Sequence, residues 1–359
     1  MIKSPKSHIW LAAACALVLA TACSSAPAGP ARRLRDAAFA GTPLYGHQDD
    51  LMYGHTWNAN FDGDLEFSRS DVKDVCGKYP AILGLDLGGI ELGAAENLDG
   101  NGFALMREAA IKHHERGGIV SLSWHLRNPL TGGDAWDVSS DRVVASILPG
   151  GPFHKEFVLW MDRAADWILS LRDADGKQIP VIWRPWHEHS GNWFWWGRKH
   201  CTDAEYIALW RMNHDHFRQR GIEGLVWAIS PNYMEHDFEQ WETRYPGDAY
   251  VDVIGLDCYA GEDREAYIRQ MRAGLNSLRQ MCARHGKILA VTETGQEGLP
   301  DPKWWTGALA PAIEGFPVSY VLTWRNASDR PTHFYAPYAD HPAAADFKKW
   351  IAKNRIPML

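Results

Sequence analysis

The chain has 359 residues, 46% hydrophobic and 23% charged, a balance that supports a large apolar core and excludes collagen, coiled-coil and disordered classes. With 37 basic against 44 acidic side chains the formal charge is −7, which repels phosphate backbones, so no nucleic-acid partner is expected. The 18 Trp and 12 Tyr are unusual: flat rings with a polar edge either pack a core or stack on sugar faces in water, and composition does not separate the two uses.

At the N-terminus, Lys3 and Lys6 precede an apolar run over residues 9–20, too short to span a bilayer and shaped like the hydrophobic part of an export signal. The run ends in Leu19-Ala20-Thr21-Ala22-Cys23-Ser24-Ser25, which resembles a bacterial lipobox with Cys23 as the lipidated residue. Ala20 stands where Leu is usual, so ordinary signal cleavage is the alternative. This reading assigns residues 1–22 to a signal peptide, 23–40 to a lipid-anchored tether, and 41–359 to one folded domain. It predicts an exported monomer that meets the membrane only through its lipid: an outer-membrane lipoprotein, or otherwise a periplasmic or secreted protein.

From Gly41 onward, short β-rich runs alternate with amphipathic stretches and Gly/Pro/Asn punctuation. Eight runs stand out, at residues 43–47, 81–87, 118–125, 181–188, 225–232, 251–259, 288–295 and 318–326. Helices are predicted over 70–77, 102–116, 156–173, 202–220, 263–285, 302–313 and 342–353, with only a weak candidate near 233–245. Runs such as LVWAIS and VDVIGLDCY are almost continuously apolar, as parallel strands covered on both faces require. Together they predict an α/β fold, a single (β/α)8 TIM barrel.

In that fold, chemistry gathers at the C-terminal ends of the strands. Polar residues cluster there: His47 and Gln48, Asp86, Trp124 and His125, Arg184, His187 and Glu188, Asn232, Asp257 and Tyr259, Glu293, and Trp324, Arg325 and Asn326. One polar residue at a strand end is an ordinary solvated turn; the repetition around the barrel points to a ligand. The densest text is RPWHEHSGNWFWWG, from Arg184 to Gly197, where Glu188 follows Arg184 and His187 and precedes a Trp-rich loop. Glu293, in VTETG, offers a second carboxylate from the seventh run. A retaining glycosidase needs such a pair about 5–5.5 Å apart, one acid kept protonated in a dry, negative setting and one carboxylate held by Arg, Tyr or His donors.

On these two motifs the sequence resembles glycoside hydrolase family 26, a clan A group whose principal members are β-mannanases. The likeness runs from Gly46-His47 to Trp324-Arg325. It implies Glu188 as acid/base and Glu293 as nucleophile. His187 would then bond near the nucleophile or the sugar 2-OH, and Trp193 would stack in the +1 region. His125 would bind sugar, Tyr259 would steady the nucleophile, and Trp324 and Arg325 would contact the glycone. His189 departs from the commoner Asn or Met. The implied activity is retaining hydrolysis of β-1,4-mannan, glucomannan or galactomannan chains, endo- or exo-acting, with no cofactor and no metal. The same machinery on β-1,3-xylan or mixed-linkage glucan, and a non-catalytic glycan-binding lipoprotein, are the competing readings.

Other features have blander explanations. His187 and His189, with His47, His55 and His125, could ligate a metal, but no HExxH helix is present. Phe194, Trp195 and Trp196 read as packing. Cys76, Cys201, Cys258 and Cys282 lack any CxxC pair; they are either small buried hydrophobes or an oxidised set whose pairing sequence does not specify. Residues 88–102 form a long loop that either walls the cleft or decorates the surface.

Overall fold

A computed structural model describes Met1 and residues 29–64, 66–234 and 240–359. The predicted signal peptide after Met1, together with Cys23, lies outside the described residues. All eight runs form strands: β1 (Leu44–Gln48), β2 (Ile82–Asp86), β3 (Ile119–Ser123), β4 (Val181–Arg184), β5 (Val226–Ile229), β6 (Val253–Ala260), β7 (Ile288–Gln296) and β8 (Val318–Thr323). Every neighbouring pair is parallel, and β8 returns to β1 to close the barrel. Closure removes free edges and places every strand's C-terminal end on one rim.

The connecting helices follow their local signals. Helix Asp203–Gln219 starts at Thr202, whose hydroxyl accepts from the Glu205 backbone while Glu205 accepts from the Thr202 backbone at 2.8 Å, a reciprocal capping box. Helix Asp71–Cys76 is capped by Ser70, and helix Arg264–His285 by Asp263. In the weak region before β6 the described residues form single-turn helices at Glu242–Arg244 and Asp248–Tyr250. Among the described residues no helix is long and apolar enough to cross a membrane.

The boundary of the folded domain differs from the expected one. Residues 30–40, read as part of a tether, form helix Pro30–Ala40, with Pro30 at its first turn and Gly41 closing it in a left-handed conformation. Leu34 and Ala37 on this helix join Leu44, Ile82, Ile119, Ile182, Val253, Ile288 and Leu322 in one buried cluster. The helix therefore plugs the N-terminal end of the barrel, opposite the rim that carries the polar residues. Its sequence hides this because Arg32, Arg33 and Arg35 surround a single large apolar side chain.

The four cysteines are unpaired, with Cys201, Cys258 and Cys282 buried as small hydrophobes. Residues 88–102 are anchored inward: Glu91 is fully buried, accepting from Trp124 Nε1 at 3.1 Å and the Arg127 backbone at 2.8 Å, while Asn97 donates to the Asp86 carbonyl at 3.0 Å. Asp99 pairs with Arg325 at 3.0 Å, so this loop ties the end of β2 to the end of β8.

Candidate active site

β4, β5, β6 and β7 converge at the rim. Inside the barrel, Arg184 from β4 donates through Nη1 to Asp257 Oδ2 and to Ser230 Oγ, each at 3.1 Å, and through Nη2 to Glu293 Oε1. Asp257 also accepts from Ser230 Oγ at 2.9 Å and Thr292 Oγ1 at 2.6 Å. Tyr259 donates its hydroxyl to Glu293 Oε2 at 2.8 Å. Both oxygens of Glu293 are thus held by donors, one of them cationic, and only 4% of the residue is exposed.

Strict alternation along β7 would put Thr292 and Glu293 on opposite faces, yet both side chains reach Asp257 or its partner Arg184. A register shift explains this: Leu256 pairs with Val291, but the next residue, Asp257, pairs with Glu293. The extra residue is a bulge, a device that re-aims side chains next to active sites. Gly255 makes room for it, since a Cβ there would lie 2.3 Å from the Thr292 side chain.

Glu188 sits just past β4 with φ +51°, a left-handed conformation that is costly for a non-glycine residue and concentrates at functional sites. It is held there by its own N–H, which donates to the Ser230 carbonyl at 2.7 Å. Trp193 folds back over Gly191 and donates Nε1–H to Glu188 Oε2 at 2.6 Å; a Cβ on Gly191 would meet that indole ring at 2.6 Å. Fully buried Arg244 fastens the loop from beneath, donating to the carbonyls of His189, Trp196 and Cys201 and pairing with Asp203 at 2.8 Å.

One carboxylate oxygen from each of Glu188, Asp257 and Glu293 lies within 4.8 Å of the others. Burial, followed by the negative charges of Glu293 and Asp257, pushes Glu188 well above the usual carboxylate range, whereas Arg184 counters the charge on the other two. The two glutamates therefore have unlike settings, one favouring a proton and one gripped by a guanidinium and a phenol. That division, at that separation, is what double displacement at an anomeric carbon needs.

The remaining predicted site residues are also on this rim. His125 bonds to Asp86 at 2.7 Å and faces His187. Trp324 lies 6.1 Å from the His125 ring, and Arg325 donates to Tyr53 OH at 3.0 Å beside Asp99. His187 Nε2 meets His125 Nε2, and the donors on Glu293 are Arg184 and Tyr259. Of the histidines weighed as metal ligands, His125 and His187 meet, while His47 is bonded to Asp50, His55 is stacked on Tyr338 and His189 is buried against Tyr206. Sequence reasoning did not find Tyr53, Asp99, Arg244 or the half-exposed Trp136, which stacks on His125 at 5.3 Å. No local pattern marks them: Tyr53, Asp99 and Arg244 act across a long separation in the chain, and Trp136 lies in the loop after β3.

The model of glycosyl hydrolase family 26 matches residues 44–299. The chain belongs to glycosyl hydrolase family 26. Among its relatives, the mannan endo-1,4-β-mannosidase of Bifidobacterium adolescentis is 31% identical over 330 residues, covering 85% of this chain and 33% of that protein. A Bacillus subtilis mannan endo-1,4-β-mannosidase is 30% identical over 274 residues, covering 73% of this chain and 71% of its own. The solved family 26 β-mannanase of Bacteroides ovatus superposes with a TM-score of 0.87 at 46% identity, over 91% of this chain and 93% of that one. The chain thus spans about a third of the Bifidobacterium relative but nearly all of the Bacteroides structure.

Proposed function

We propose that this family 26 chain is a β-mannanase that cleaves β-1,4-mannosidic bonds with retention of configuration. The observation that carries the chemistry is the approach of Glu188 and Glu293 to within 4.8 Å, which suits a covalent intermediate and leaves too little room for the water of an inverting mechanism. The mannan assignment rests on the activities named for its relatives.

In the first step Glu293 Oε attacks the anomeric carbon while Glu188 gives its proton to the departing glycosidic oxygen; the C–O bond to the aglycone breaks as the ester to Glu293 forms. Glu188, now a carboxylate, takes a proton from water, whose oxygen attacks the same carbon and releases Glu293. Arg184 and Tyr259 steady Glu293 as it gains and loses charge. Trp193, bonded to Glu188, presents its ring on the leaving-group side. Glu188 and Glu293 serve as the catalytic pair, and His125, His187, Trp193, Tyr259, Trp324 and Arg325 as substrate contacts or supports.

The test is incubation with mannohexaose, followed by proton NMR of the first product formed and chromatography of the ladder. Initial release of the β-anomer supports retention; initial α-anomer sinks it. A mixed ladder means endo action and mannobiose alone means exo action. Parallel assays on β-1,3-xylan and lichenan separate the other glycans, and Glu188→Gln and Glu293→Gln should abolish turnover while sugar binding survives. The export signal and Cys23 lipid anchor are part of the same proposal, supported by Lys3, Lys6 and the apolar run that ends before Cys23, as are a monomeric state and an outer-membrane, periplasmic or secreted location. Metabolic labelling with a fatty acid, lost in Cys23→Ser, tests the anchor.

A further inference from the structure

A histidine pair buried beside the reacting centre has a contact that the two-glutamate chemistry does not require. The Nε2 atoms of His125 and His187 are 3.0 Å apart, a distance that needs one hydrogen between them, since two lone pairs or two N–H groups would repel. Nδ1 of His125 is already committed to Asp86 Oδ2 at 2.7 Å. Asp86 also accepts from Ser123 Oγ at 2.6 Å, Gly88 N–H at 2.7 Å and His125 N–H at 3.1 Å. A carboxylate so fully supplied with donors is an acceptor, so His125 carries its hydrogen on Nδ1. On the other side His187 Nδ1 is buried without a hydrogen-bond partner, its ring 5.0 Å from Phe194 and 6.0 Å from Trp196.

Two protonation states fit these contacts. In the neutral pair, His187 donates to His125; in the singly charged pair, the hydrogen between them belongs to the ring that carries the charge, His125 donating and His187 accepting or the reverse. A doubly charged pair does not fit. We propose that Asp86 is a positioning residue of the reaction: by fixing the Nδ1–H form of His125 it makes His125 and His187 a unit that holds one extra proton, carried on His125, while His187 stays neutral.

The charged groups that face this pair are Asp86 at the end of β2, Asp99 on the following loop, Arg184 on β4 and Glu293 on β7. Burial disfavours charge on both rings, but Asp86 and then Glu293 outweigh it at His125, raising that ring above the ordinary histidine value. Burial, His125 and Arg184 all hold His187 well below it. The proton therefore resides on His125, where it adds a second positive charge to the field around Glu293 and keeps His125 an obligate donor. Asp86 touches no substrate atom in this scheme and acts through His125.

The kinetic half of this inference rests on the mannanase reading; the spectroscopic half does not. Nitrogen-15 NMR of the side-chain imidazoles in the full chain should show one buried ring cationic through the range around pH 6.5 where a free imidazole titrates, and the other neutral throughout. Asp86→Asn, which keeps the shape but removes the charge, should lower the His125 titration by about one unit or more. It should also cut kcat/KM on mannohexaose about tenfold at neutral pH, with the deficit shrinking as the pH falls and His125 regains its proton. Two rings that titrate independently near the ordinary value would overturn the proposal. So would an Asp86→Asn enzyme whose deficit is equal at every pH with the His125 titration unmoved, the signature of a purely structural role. The unmodified chain decides the pairing by itself even if the variant does not fold, and inactivity on mannan with the NMR pattern intact would reject the substrate, not the pair.

Discussion

Trp193 and Glu188 are joined by a 2.6 Å hydrogen bond from the indole Nε1 to Oε2, so the ring and the carboxyl group are held as one unit. That bond favours the charged carboxylate and partly opposes the burial and the Glu293 and Asp257 charges that raise Glu188. In the proposed reaction Glu188 must be protonated to act as acid, so activity is expected to fall as the pH rises through its elevated value. Trp193→Phe removes the donor but keeps a ring; the alkaline limb of the kcat profile should move upward by about one unit. Trp193→Ala should add a rise in KM worth about 1–3 kcal/mol from lost stacking and packing. Rate profiles on mannohexaose across pH check both; a downward shift would contradict the geometry.

Arg184 bridges Asp257 and Glu293 inside the barrel. Arg184→Met leaves both carboxylates buried without it, and unfolding free energy in urea should drop by about 3–5 kcal/mol. Arg184→Lys should rescue little, because a single ammonium does not reproduce the fork that meets Asp257, Ser230 and Glu293 together.

Gly191 has no room for a side chain, since the Trp193 ring occupies the place a Cβ would take. Gly191→Ala should displace that ring and release Glu188 from its indole partner, with turnover reduced about tenfold or more. The fold should survive, because the contact is with a side chain at the cleft; circular dichroism and melting close to those of the parent, alongside the kinetic loss, would verify this.

Leu34 is fully buried at the closed end of the barrel. Leu34→Ala should destabilise by about 2–5 kcal/mol and leave kcat unaltered below the melting transition, because the helix is far from the rim. A change within experimental error in urea unfolding would return residues 30–40 to the role of a tether.

The barrel was legible because its evidence is local. Eight apolar runs of β-branched residues, separated by capped amphipathic stretches, have one economical arrangement, and the strands fall within a few residues of those runs. Glu188 and Glu293 stand out in the sequence for the same reason, each marking a strand run with a distinctive motif, and the barrel brings their carboxylates to within 4.8 Å of each other. Helix Pro30–Ala40 was not, because its buried face consists of Leu34 and small residues and acquires meaning only from the barrel end it fills.

Chain order alone determined the fold class and marked the rim residues and the two acids that the proposed reaction uses, since hydrophobic periodicity and strand-end polarity are properties of consecutive residues. Tertiary structure decided how the acids differ. The β7 bulge turns Glu293 toward Arg184, the left-handed backbone at Glu188 brings it beside Trp193, and Asp99 reaches Arg325 from a distant loop. Each depends on distances between segments brought together by barrel closure, and Coulombic and hydrogen-bonding energies are set by those distances rather than by spacing along the chain.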